Sequence, residues 1–143
     1  MRIIEVLKTK QHQEVITITP AAGVRELVKT LADHNIGALI VSSDGTSMDG
    51  IVSERDVVRR MHSDGTVIDN TVGGIMTQVV QTCSSEDDLD DVMMTMTEGR
   101  FRHIPVVDDG RLVGIVSIGD LVKHKIDQLQ FERDQLDSYV HQG

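Results

Sequence analysis

Apolar residues along this chain recur at two periods, and the alternation between them occurs twice. Val15 to Thr19 forms a short β run that Pro20 ends. Val24, Leu27, Val28, Leu31 and Ala32 then fall at the three- and four-residue spacing of one helix face. Ala38 to Val41, a turn at Asp44-Gly45 and Gly50 to Val52 predict a hairpin, since Asp-Gly between apolar runs suits a tight turn. A helix from Arg55 to Met61 closes the unit. The second half keeps the order: Val80 to Cys83, then a helical stripe of Leu89, Val92, Met93 and Met96. His103 to Val107 and Leu112 to Val116 follow about Asp109-Gly110, and a helix starts at Gly119. The unit is β-α-β-β-α, written twice.

The duplication is in register. Gly50-Ile51-Val52-Ser53-Glu54-Arg55-Asp56 returns 64 residues later as Gly114-Ile115-Val116-Ser117-Ile118-Gly119-Asp120. Upstream the offset is 65: Thr17 aligns with Thr82, Leu27 with Val92, Leu31 with Met96, Val41 with Val106. The first hairpin carries one extra residue. We divide the chain into repeat one (8–62), a polar linker (63–71), repeat two (72–125) and a helical extension (126–143). A small sheet with helices on one side leaves a face uncovered. Two copies in one chain can bury those faces together, which predicts an α+β fold with pseudo-two-fold symmetry. The second helix is expected to open on Ser84 or Ser85, with Glu86, Asp87, Asp88, Asp90 and Asp91 favoured by the positive end of its dipole.

Composition narrows the function. A net charge of −9 opposes phosphate-tracking nucleic-acid surfaces and anionic membranes. Three aromatics, Phe101, Phe131 and Tyr139, are too few for base-stacking platforms. Cys83, the single cysteine, lies in an apolar run and reads as a buried thiol; an exposed thiolate would suit a redox partner instead. Met1 to Val6 is too short for a signal peptide, and no run of 18 apolar residues occurs, so a soluble cytoplasmic protein is expected.

The repeated Ser-x-x-Asp is the candidate chemistry. Each serine ends a strand and each aspartate enters the first turn of a helix, where backbone N–H groups favour anions and ligand oxygens. A carboxylate can accept both hydroxyls of a ribose. The same residues also suit plain helix capping: Ser53 and Ser117 as caps, Asp56 and Asp120 as first-turn acids. Cations are uneven. Arg100, Arg102 and His103 precede Ile104-Pro105 in repeat two, where repeat one has Asn35, Gly37 and Ala38; Arg55 stands where repeat two has Gly119. Arg102, His103 and Arg55 could converge on phosphate near Ser117 and Asp120.

With these signatures the chain resembles a tandem CBS-domain pair, or Bateman module, over about residues 8 to 125. Gly99-Arg100-Phe101-Arg102-His103-Ile104-Pro105-Val106 and the helical tail resemble the stand-alone bacterial type. The resemblance implies an adenosine-containing ligand: AMP, ADP, ATP, NAD(H) or S-adenosylmethionine. It implies that Asp56 and Asp120 hold ribose hydroxyls and that Ser53 and Ser117 support ribose or phosphate. Arg102, His103 and Arg55 would hold phosphate, with Gly119 in the motif beside them. Adenine would rest against Val15-Ile16-Thr17, Val80-Gln81-Thr82 and the Ile104-Pro105 backbone. Repeat one lacks the proline and the nearby cations, so its cleft is expected to bind more weakly.

No phosphate loop, metal-ligand spacing or nucleophile elbow accompanies these residues, so catalysis and a catalytic cofactor are not expected. Val122, Ile126, Leu129, Leu136 and Val140 form a heptad-like stripe near the C-terminus. Either the helix packs on its own domain or it meets a partner; the resemblance implies a homodimer and a protein target. A dimerisation module with vestigial clefts is the alternative function.

Overall fold

A computed structural model describes residues 1–9, 15–78 and 81–142. Helix α1 (Ile3–Thr9) leads into β1 (Thr17–Ile18), α2 (Val24–His34), β2 (Ala38–Val41), β3 (Gly50–Ser53) and α3 (Glu54–Ser63). A 3-10 turn (Val67–Asp69) and α4 (Val72–Ile75) precede α5 (Leu89–Gly99), β4 (His103–Asp108), β5 (Arg111–Ser117) and α6 (Ile118–Gln142). This is the mixed α and β fold of two like repeats and a C-terminal helix that the sequence predicts.

In repeat one, β1 pairs in parallel with β2, and β2 antiparallel with β3. In repeat two, β4 pairs antiparallel with β5. There the place of β1 is taken by Cys83, whose N–H donates to the Pro105 carbonyl at 3.0 Å while its own carbonyl accepts from Val107 at 2.8 Å. Val80, expected to open this strand, lies outside the described residues. The two hairpins differ: Asp109 and Gly110 both take positive φ in a two-residue turn between Asp108 and Arg111. The loop after β2 is longer, and the Asp44 carboxylate organises it by accepting from the N–H groups of Thr46 and Ser47. Those bonds, Ser47 N–H foremost, hold the Asp44 carboxyl far below the ordinary range.

Each repeat has its own apolar core, and each core is completed by a helix from the other end of the alignment. Leu27, Leu39, Val41 and Val52 of repeat one enclose Val72 and Ile75 of α4. Leu89, Ile104, Val116 and Leu121 of repeat two enclose Ile3 and Val6 of α1. The matching bonds occupy equivalent places in the two repeats: Val72 N–H to the Ala22 carbonyl at 2.8 Å, and Ile3 N–H to the Asp87 carbonyl at 3.0 Å. Likewise Gly73 N–H donates to Pro20 at 2.8 Å and Ile4 N–H to Ser85 at 2.9 Å. The stretch read as a linker therefore also contributes the buried Val67, and α4 begins where it ends.

One cap differs from expectation. Helix α5 opens on Asp88, whose carboxylate accepts from Asp90 N–H, and not on Ser84 or Ser85. Those serines instead donate their hydroxyls to the Asp108 carboxylate at 3.0 and 2.5 Å, tying the helix entry to the end of β4. The Ser85 hydroxyl is the main cause of a lowered Asp108 pKa. Among the described residues, no helix is long and apolar enough to cross a membrane.

Candidate functional site

Both Ser-x-x-Asp motifs form reciprocal caps. In repeat one, Ser53 N–H donates to Asp56 Oδ2 at 2.8 Å and Asp56 N–H to Ser53 Oγ at 3.4 Å. In repeat two, Ser117 N–H donates to Asp120 Oδ2 at 2.9 Å and Asp120 N–H to Ser117 Oγ at 3.1 Å. Capping of this kind satisfies two otherwise orphaned helix N–H groups. It also fixes each carboxylate at a strand-to-helix junction, so capping and ligand binding are compatible uses of one geometry.

Their surroundings differ. Thr77 crosses the outer side of β3, exchanging backbone hydrogen bonds with Ile51 at 2.9 and 2.8 Å. Its hydroxyl reaches Asp56 Oδ1 at 3.4 Å. Ser117 and Asp120 instead line a cleft of about 650 Å³ between the repeats. From repeat one come Ile16 and Asn35, Ile36, Gly37 and Ala38 at the junction of α2 and β2. Val6 and Thr9 of α1, His103, Ile115, and Lys123, His124 and Asp127 of α6 complete the wall. Gly37 sits against the His103 ring, where an added Cβ would lie 3.7 Å from Cε1.

The structure thus gathers Ile16, His103, Ser117 and Asp120 of the expected residues in one cleft. It does not bring Arg102 or Arg55 into that lining; both are exposed, and the Arg102 carbonyl accepts from Ile118 N–H at 2.8 Å. Gly119 is exposed on the first turn of α6, beside the wall. Val15 and Thr17 are half-buried flanks of Ile16, while Ile104 and Pro105 are buried. Thr82 faces a separate, smaller hollow of about 210 Å³ with Ile104 and Cys83. Cys83 is 6% exposed, and burial pushes its thiol up to about 12. That is the opposite of a reactive thiolate.

Sequence reasoning missed Lys123, His124 and Asp127. The signal was present: from Asp120 they stand at i+3, i+4 and i+7, on one helix face. His124 Nε2 also lies 2.8 Å from the Thr9 hydroxyl, joining α6 to α1 at the cleft edge. Among the described residues no three His, Cys, Asp or Glu side chains are grouped to hold a metal ion.

Two matching β-α-β-β-α units that share a ligand-sized cleft and repeat one capped carboxylate define a tandem-repeat module. The CBS domain family matches residues 6–63 and 72–127, and the chain belongs to that family as a CBS-domain pair. It is 37% identical over 125 residues to the mitochondrial CBS domain-containing protein CBSX3 of Arabidopsis thaliana, covering 84% of this chain and 61% of the relative. It is 28% identical over 120 residues to YhcV of Bacillus subtilis, covering 84% and 85%. The chain thus spans less than two thirds of the plant relative. The crystal structure of ATU1752 from Agrobacterium tumefaciens superposes with a TM-score of 0.82 at 36% identity, covering 87% of this chain and 99% of that one. The CBS domain pair of protein MJ0100, solved in complex with 5′-methylthioadenosine and S-adenosyl-L-methionine, gives a TM-score of 0.78 at 26% identity over 90% and 98%.

Proposed function

We propose that the chain is a cytoplasmic sensing module that binds an adenosine-containing molecule between its repeats and signals to a protein partner. The observation that carries this reading is the cleft, in which Ser117 and Asp120 face Ile16 and Asn35 to Ala38 across the repeat boundary. A volume of about 650 Å³ lies within the usual range for small-molecule pockets. Asp120 would accept ribose hydroxyls, with Ser117 and His103 beside it, while Ile16, Ile36 and Ala38 offer apolar contact to the base. The adenosyl ligands of the MJ0100 pair support the class. AMP, ADP, ATP, NAD(H) and S-adenosylmethionine are the candidates. Asp56 and Ser53 would form a weaker second site, since the Thr77 hydroxyl already engages that carboxylate. Arg102, Arg55 and Thr82 keep at most a peripheral role.

Because the ligand would touch both repeats, it would favour the packing that encloses it, and a partner can read that bias. No reacting group is needed, and the reading is regulatory. Differential scanning fluorimetry with millimolar ligands tests it: a true ligand raises Tm by mass action. By calorimetry, Asp120→Ala should weaken binding by about 1–3 kcal/mol, the scale of lost charge-assisted hydrogen bonds. Asp56→Ala removes an equivalent cap but reports on the weaker site, so its effect on binding is smaller. A flat Tm across every ligand leaves the alternative, a dimerisation module with vestigial clefts.

One observation favours dimerisation in either case. Beyond Gln128 every described residue of α6 through His141 is exposed, among them the apolar side chains Leu129, Phe131, Leu136, Tyr139 and Val140. A helical arm of this kind is marginal in water without a packing surface. The reading is a homodimer, and light scattering that returns a monomer at micromolar concentration removes it.

A further inference from the structure

We infer that the cleft sorts adenosyl ligands by the charge of the 5′ substituent, taking a zwitterionic, amino-acid-like tail in preference to a polyphosphate. Lys123 and Asp127 are the specificity-determining residues. The inference rests on the reading above, that Asp120 and Ser117 hold the ribose. The wall of the cleft is divided. Val6, Ile16, Ile36 and Ala38 are apolar, whereas among the described residues the ionisable groups of the lining other than His103 all stand on α6. An uncharged base therefore suits the first side and a charged tail the second.

Along α6 the tail would pass Lys123 and His124 and then Asp127, about 10 Å from Asp120 along the axis at 1.5 Å per residue. Among the described residues, α6 brings both signs of charge to this wall, Lys123 beside Asp120 and Asp127. The arginines expected to favour phosphate, Arg55 and Arg102, are outside it. A triphosphate would bring several negative charges past the Asp127 carboxylate, with Lys123 the single lysine or arginine of this lining among the described residues. An α-amino-acid tail fits better: its carboxylate can meet Lys123 and its ammonium Asp127. Residues four apart are neighbours on a helix surface, so both contacts are within reach of one small zwitterion. Neither side chain enters an ion pair among the described residues, which leaves both available.

Calorimetry in EDTA with 5′-methylthioadenosine, S-adenosylhomocysteine and ATP separates the claims. The wild type should bind S-adenosylhomocysteine roughly tenfold tighter than ATP, the scale of two partly exposed charge-assisted contacts. Asp127→Asn should narrow that ratio and Asp127→Lys should reverse it, with 5′-methylthioadenosine, which has no charged tail, unchanged by either. Both changes are at an exposed position, so folding is preserved. ATP binding as tightly as S-adenosylhomocysteine, or a ratio that neither variant moves, overturns the inference while binding of 5′-methylthioadenosine keeps the ribose reading. If 5′-methylthioadenosine itself fails to bind, the ribose reading fails and the inference with it.

Discussion

Repeat one and repeat two are built from the same parts and closed in different ways. Both cap their last helix with Ser-x-x-Asp, both end their first helix in a left-handed residue, and both accept a helix from outside the repeat. What separates them is the segment lying over the final strand. In repeat one, Thr77 crosses β3 by backbone pairing with Ile51 and its hydroxyl touches Asp56, while the Met76 side chain lies over Gly50. In repeat two, α1 approaches β5 through the Leu7 side chain, and Asp120 remains on the wall of the cleft. A duplicated motif thus reaches two outcomes because its cover, and not the motif, has diverged.

The glycines under those covers test that account most strongly. A Cβ on Gly50 would lie 2.7 Å from the Thr77 carbonyl oxygen, which accepts from Ile51 N–H while Thr77 N–H donates back to the Ile51 carbonyl. A Cβ on Gly114 would meet the Leu7 Cδ2 at 2.7 Å, the far end of a side chain that can turn away. Gly50→Ala should therefore cost about 1–3 kcal/mol, the range for overpacking, measured by urea unfolding. Gly114→Ala should cost less than about 1 kcal/mol. Equal losses would mean that the two covers are equally rigid, and the contrast between the repeats would lose its basis.

Cys83 offers a second contrast. It aligns with Ile18 of repeat one, and both side chains are buried in the first-strand position. Only the cysteine can titrate. Its thiol, raised by burial to about 12 from about 9, holds a proton in the folded chain that the unfolded chain releases. Stability should then be complete below pH 9 and fall as pH rises toward 12, with about 1 kcal/mol lost at pH 10. Cys83→Val should remove that part of the slope, seen in Tm across pH 8 to 10.5. An identical slope in both proteins would place the titration elsewhere.

How much of this was legible follows from which signals are periodic. The β-α-β-β-α order and the duplication were readable because the apolar stripes of α2 and α5, and the Ser-x-x-Asp copies, recur at fixed offsets. The exchange of leading helices was hidden. Ile3, Val6 and Leu7 match Val72, Ile75 and Met76 at an offset of 69, not 65, so the connector in repeat one is four residues longer and breaks the alignment. Val72–Ile75 is also a single turn containing Gly73 and Gly74, too short to show a helical period. The cleft was half legible: Asp120 and Ser117 carry a motif, but Asn35, Ile36 and Gly37 join them only through tertiary packing.

The smallest contrast lies at the helix ends. Asn35 and Arg100 close α2 and α5 at φ 51° and 58°, each donating its N–H back into the last turn. A left-handed cap of this kind favours glycine, tolerates asparagine and strains a residue such as arginine. Glycine relieves that strain but gives back some conformational freedom to the unfolded chain. Arg100→Gly should therefore stabilise by about 0.5–1 kcal/mol, whereas Asn35→Gly should change stability by only a few tenths. Asn35 also lines the cleft, and Arg100 does not. The same pair of variants therefore separates backbone strain from ligand contact: Asn35→Gly should alter adenosyl binding more than stability, and Arg100→Gly the reverse. Calorimetry and urea unfolding on both variants decide it, and a gain in stability from Asn35→Gly matching that from Arg100→Gly would show the caps to be equally strained.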